Sequence, residues 1–94
     1  MTRAIHRVQY EYFRTLLIST REESGLTQIA VAAKLGKPQS FVSKYERGER
    51  RVDFTEFLEL ADILNVDIGD FVKLYRDKLK GMPEKRKLLN KRPK

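Results

Sequence analysis

Apolar positions along the chain recur at helical spacing in five stretches, separated by short breaks that carry glycine or capping residues. In the first, Phe13, Leu16, Leu17 and Thr20 fall at the i, i+3, i+4, i+7 positions of a buried stripe, which predicts a helix from about residues 2–7 to Ser24. Ile5, Val8 and Tyr12 extend its apolar edge upstream, either as turns that cap the core or as part of a subunit interface. The second stretch opens on Thr27 as N-cap, runs through Val31, Ala32 and Leu35, and stops at Gly36, which can take positive φ. Pro38 restarts a helix, its fixed φ being suited to a first turn, and Val42 and Tyr45 share the inner face of this third stretch up to about Arg47. In the fourth, Asp53 followed by Glu56 has the spacing of a capping box, ahead of a stripe of Phe54, Phe57, Leu58, Ala61 and Leu64. The fifth begins after Asp67 and carries Ile68, Phe71, Val72, Leu74, Tyr75 and Leu79 before Gly81, Met82 and Pro83 end it. Five helices and one modest core make an all-α fold. The fifth helix has more apolar surface than one stripe needs, so part of it should meet a partner.

The second and third stretches form a helix, a short turn and a helix, with Gln39, Ser40, Ser43 and Lys44 pointing outward and able to bond base edges. Here the chain resembles the Cro/cI type of helix-turn-helix proteins, the lambda-repressor-like family. The resemblance rests on Gly25-Leu26-Thr27-Gln28, Val31-Ala32, Leu35-Gly36, Gln39-Ser40, Val42-Ser43 and Tyr45-Glu46-Arg47-Gly48, and covers residues 13–75. It implies a five-helix DNA-binding domain, placed over residues 1–80 with an extended first helix; residues 81–94, basic and without caps, read as a mobile tail or as an arm that contacts DNA or docks a partner. Ile29 and Ala30 stand where the family often has acidic residues. That removes the reciprocal half of a capping box with Thr27 and leaves the helix start open to a phosphate. The exposed apolar side chain of Ile29 has no account.

Charge distribution sharpens this reading. Lys and Arg number 20 against 13 acids, a formal net charge of +7. Residues 34–51 hold six bases and two acids, whereas residues 52–70 hold six acids and no base. One face is therefore suited to phosphate and another is not. Residues 81–94 add six bases and one acid, leaving 14 bases against 12 acids in the body, so the local patch carries the signal rather than the total.

By the resemblance, Gln39, Ser40 and Lys44 are the base-contacting positions. Gln can bond adenine bidentately and Lys can donate to guanine. Phosphate contacts are expected from Gln28, Lys37, Ser43, Arg47, Arg50 and Arg51, with Ser43 equally suited to a base. Phe41 could meet a thymine methyl or fold back onto the second helix. The family pairs an arginine and a glutamate at the positions of Arg21 and Glu46, so these two should form a partly buried ion pair between the first and third helices. A homodimer would place two recognition helices in successive major grooves of double-stranded DNA. The same fold serves antitoxins and restriction-system controllers, for which the C-terminal region would bind a toxin or effector, and it serves protein-interaction adaptors that no longer bind DNA.

Other classes find less support. With no cysteine there are no disulfides or thiolate ligands, which suits a reducing cytoplasm. No apolar run is long enough for a signal peptide or membrane span, so a soluble cytoplasmic protein is expected. No nucleophile–base pair, phosphate loop or metal set indicates an enzyme or a cofactor. His6 is a lone surface histidine. Glu56, Glu59 and Asp62 are expected to be a solvated face. The run Asn65–Asp70 echoes a calcium loop but lacks the downstream bidentate Glu, leaving Asp67 as a helix cap.

Overall fold

A computed structural model describes residues 2–81, with side chains described from Val8 onward. All of the expected 81–94 tail after Gly81, and the side chains of Ile5 and His6, lie outside the described residues. The described residues form five helices: α1 (Thr2–Ser24), α2 (Gln28–Leu35), α3 (Gln39–Glu46), α4 (Phe54–Leu64) and α5 (Ile68–Lys80).

Local chemistry sets most of these boundaries. Thr27 sits in extended backbone and its side chain accepts the Ala30 N–H at 3.0 Å, starting α2. Gly36, at φ 73°, and the return of Lys37 N–H to the Ala32 carbonyl close α2 in a Schellman turn. α3 ends in the same way, with Gly48 at φ 83° and Glu49 N–H on the Lys44 carbonyl at 2.8 Å. The reciprocal capping box of Asp53 and Glu56 is formed at α4, and the Asp67 side chain accepts the Asp70 N–H to start α5. α4 closes on Asn65 in the left-handed region, φ 59°, a conformation asparagine tolerates better than most residues.

α1 packs on α3, α4 and α5, while α2 packs on α3 and α4. The core between them holds Leu16, Leu17, Val31, Val42, Tyr45, Phe57, Leu60 and Phe71 among its buried side chains. Phe13 is partly buried and sets its ring edge-on to both Phe57 and Phe71 at centroid distances of 5.6 and 5.9 Å, joining α1, α4 and α5. The upstream part of α1 is tied down as well. The Val52 N–H donates to the Tyr10 hydroxyl at 3.0 Å, and the Tyr75 hydroxyl reaches the Gln9 carbonyl at 3.5 Å.

The structure alters two expectations and decides between two readings of a third residue. Pro38 is the N-cap of α3 rather than its first helical residue: its ψ of 157° is extended, so the helix begins at Gln39. The buried stripe of α4 is Phe57, Leu60, Ala61 and Leu64, whereas Phe54 at the first turn is 70% exposed. A residue next to the cap lies beyond the last inward-facing turn, so helical spacing alone does not bury it. Phe41 turns inward, buried and edge-on to Tyr45, and so is not a thymine-methyl contact.

Candidate nucleic-acid interface

The interface is built from the two helix starts, α2 at Gln28 and α3 at Gln39, and from the loop that leaves α3. Neither first turn contains an acid, so the positive ends of both helix dipoles are unopposed. Ser40, Lys44, Lys37 and Arg51 are exposed. Lys37 also lies over the Phe41 ring at 5.1 Å from its centroid.

Behind this face, α3 is clasped to α1 at Glu46, the only buried charged residue among the described residues. Arg21 donates from Nε to Glu46 Oε2 at 2.7 Å and from Nη2 to Oε1 at 3.2 Å, with Nη1 on the Leu26 carbonyl at 2.9 Å. The expected Arg21–Glu46 pair is therefore present, and bidentate. Its hydrogen bonds to Glu46 hold the Arg21 guanidinium above its ordinary pKa, against the opposing effect of burial. Two turns earlier on α1, Arg14 donates to the Glu46 backbone carbonyl and pairs with Glu11. α1 thus grips both the Glu46 side chain and the C-terminal carbonyl end of α3, where a cation is favoured by the helix dipole.

The grip continues outward. Gln28 Nε2 donates to Glu46 Oε1 at 2.8 Å, and Gln39 Nε2 donates to Gln28 Oε1 at 3.1 Å. A carboxylate only accepts hydrogen bonds, so Gln28 must turn its NH2 towards Glu46 and its carbonyl oxygen away. Gln39 must then turn its own NH2 towards that oxygen. What Gln39 offers to solvent is its Oε1 together with one remaining N–H, an acceptor beside a donor, which matches N6–H and N7 of adenine in the major groove.

The basic loop is more engaged than its sequence implied. Arg47 forms a two-point pair with Glu49 at 2.9 and 3.0 Å, both residues well exposed, and donates to Ser43 Oγ at 3.1 Å. Each partner stabilises the other's charged form, raising the Arg47 pKa and lowering that of Glu49, chiefly through their hydrogen bonds. Arg50 is bidentate to Glu56 at 2.9 Å for both bonds and lies over the Phe41 ring at 4.5 Å. The Arg50 hydrogen bond holds Glu56 below the usual carboxylate range. Arg51 stacks on Tyr10 at 4.5 Å. Glu56 thus departs from the solvated face expected of it. Its side chain is 15% exposed, and it both completes the α4 cap and anchors the loop. Glu59 and Asp62 remain exposed.

Sequence reasoning missed Arg14, Glu11 and Tyr10. The seven-residue spacing of Arg14 and Arg21 on α1 was the available signal, since it puts both on one helix face. Among the described residues no group of acidic or histidine side chains could hold a metal. No helix there is long and apolar enough to cross a membrane.

A helix-turn-helix family model matches residues 17–71, more than half of the chain and the whole run from mid-α1 into α5. The chain belongs to the lambda-repressor-like helix-turn-helix family. Among solved structures, it is similar to an XRE-family like protein from Pseudomonas syringae pv. tomato str. DC3000. The two are 38% identical with a TM-score of 0.76, over 82% of this chain and 94% of that one. No curated protein matches. Members of this family are DNA-binding regulators rather than typical enzymes, and α2 and α3 are its helix-turn-helix.

Proposed function

We propose that the chain is a sequence-specific transcriptional regulator, a homodimeric repressor that occupies a near-palindromic operator and blocks access to it. Gln39, Ser40 and Lys44 contact bases from the exposed side of α3. Gln28, Lys37, Ser43, Arg47 and Arg51 meet the flanking phosphates, with Arg50 adding charge from a position fixed by Glu56 and Phe41. Two recognition helices about 34 Å apart would enter successive major grooves.

The observation that carries this reading is the Arg21–Glu46–Gln28–Gln39 chain of hydrogen bonds. It orients the Gln39 amide at the start of α3 as a merely solvated glutamine would not be, which supports a base contact from that position. Repression is preferred over activation because steric blocking needs no further contact. The test compares Gln39→Ala with Arg51→Ala on selected and random duplexes. The first should lose affinity for selected sites alone, and the second for both. Uniform loss in both variants would show that α3 does not read bases.

A further inference from the structure

The loop that carries Arg50 and Arg51 away from α3 is held from outside the helix-turn-helix, by the upstream part of α1. Tyr10 and Arg14 are four residues apart on one face of that helix and lie before residue 17, where the family match begins. Arg14 takes the loop at its start. It donates to the Glu46 carbonyl, and a Cβ added at Gly48 would meet its Nε at 3.5 Å. Tyr10 takes the loop at its end, where its hydroxyl oxygen accepts the Val52 N–H at 3.0 Å. The Arg51 carbonyl belongs to the same peptide group and accepts from Arg50 Nη1 at 2.8 Å. Both polar edges of this peptide are therefore engaged, which fixes the backbone from which the Arg51 side chain departs. Val52 is buried, so its N–H, stripped of the hydroxyl, would have no ready replacement in water.

The Tyr10 ring acts on the Arg51 side chain itself. The guanidinium lies over the ring, 4.5 Å from its centroid. Such a contact engages the face of the guanidinium and uses none of its five N–H donors. Arg47 and Arg50 differ in this respect, each giving two donors to a carboxylate. Arg51 makes no ion pair or side-chain hydrogen bond among the described residues. It is the arginine of this loop that is held in place and still has its donors free for a phosphate.

We propose that Tyr10 is a positioning residue of the DNA interface: its hydroxyl fixes the loop backbone at Val52, and its ring presents the Arg51 guanidinium to a phosphate flanking the groove. The proposal rests on the reading of Arg51 as a phosphate contact, and adds that a residue of α1 sets the geometry of that contact. A pre-ordered arginine gives up less side-chain freedom on binding than a solvated one. The gain therefore appears in affinity for any duplex and not in base preference.

Two measurements on the full chain test this, one of them without DNA. Amide hydrogen exchange resolved by NMR should show the Val52 N–H protected in the wild type. In Tyr10→Phe, which keeps the ring and removes the acceptor, it should exchange about tenfold faster or more. On DNA, Tyr10→Leu should lower affinity for selected and random duplexes alike and flatten the slope of log K against log[salt] by about 1 per protomer, as Arg51→Ala should. The double variant should bind no more weakly than Arg51→Ala alone. Tyr10→Phe, retaining the stack, should keep the wild-type slope. Lost packing against Phe13 would lower stability without moving the slope or the coupling, and titration well below the lowest thermal midpoint keeps every variant folded. Three results would each overturn the proposal while leaving the DNA-binding reading in place. They are a Val52 N–H that exchanges alike in wild type and Tyr10→Phe, an unchanged slope in Tyr10→Leu beside a flattened one in Arg51→Ala, and additive losses in the double variant. If Arg51→Ala itself changes neither affinity nor slope, the phosphate assignment fails and the proposal fails with it.

Discussion

Removing Arg21 should cost far more than removing a surface arginine. Arg21→Ala deletes three hydrogen bonds at 2.7, 3.2 and 2.9 Å, two to Glu46 and one to the Leu26 carbonyl. The Glu46 carboxylate left behind belongs to a residue only 7% exposed, so water cannot readily replace the guanidinium. Breaking a buried pair by removing one partner costs roughly 3–5 kcal/mol. Gln28 still donates to Glu46 at 2.8 Å, which places the expected loss near the lower end, at about 3 kcal/mol. For a domain of this size that corresponds to a fall in thermal midpoint of about 12–24 °C, at ~4–8 °C per kcal/mol. Urea denaturation followed by circular dichroism reads it directly, as a lowered midpoint with an unchanged slope. Because the penalty comes from a stranded charge, Arg21→Met combined with Glu46→Gln should recover much of it while keeping an acceptor for Gln28. A loss under about 1 kcal/mol for Arg21→Ala, the range of exposed pairs, would refute the reasoning.

The same network predicts that Glu46→Gln, whose amide no longer forces the orientation of Gln28, should relax any adenine preference at the Gln39 position more than it lowers overall affinity; an unchanged preference in selected sites counts against the relay. Acid should weaken the loop anchor. Glu56 has its pKa depressed in the fold, so its contribution is fully present above the ordinary carboxylate pKa of 4.5 and is lost as pH falls through the lower folded value. Glu56→Gln should therefore flatten the acid limb of a stability–pH profile, and an unaltered limb would show that another carboxylate governs it. With two or three charged phosphate contacts per protomer, a bound dimer should show a slope of log K against log[salt] of roughly −4 to −5. A slope near zero on duplex DNA would exclude the phosphate assignments.

How much of this was legible in the sequence depended on the range of the interaction involved. Thr27, Gly36, Asp53 with Glu56, and Asp67 act on backbone within a few residues of themselves, and helix boundaries inferred from them agree with the structure. The Arg21–Glu46 pair, separated by 25 positions, was legible only through the family resemblance. The outward extension of that pair through Gln28 to Gln39 was not, because nothing in the spacing of two glutamines says that their amides meet. The loop illustrates the opposite failure. A run of bases suggests free cations, yet Arg47 and Arg50 each close on a carboxylate, one of them supplied by the next helix. Phe54 was assigned to the core because helical spacing counts residues without knowing where the neighbouring helix ends.

The central claim, that the exposed side of α3 reads bases through an amide held by Gln28 and Glu46, is tested most directly by selecting bound sites from random duplex DNA with the wild type and with Gln39→Ala. The wild type should enrich two half-sites related by a two-fold axis, about 10–10.5 base pairs apart or a multiple of that, each with adenine at one position. Gln39→Ala should lose the adenine at that position and keep the rest of the site. An identical enriched site from both proteins, or no enriched site from the wild type, would contradict the account.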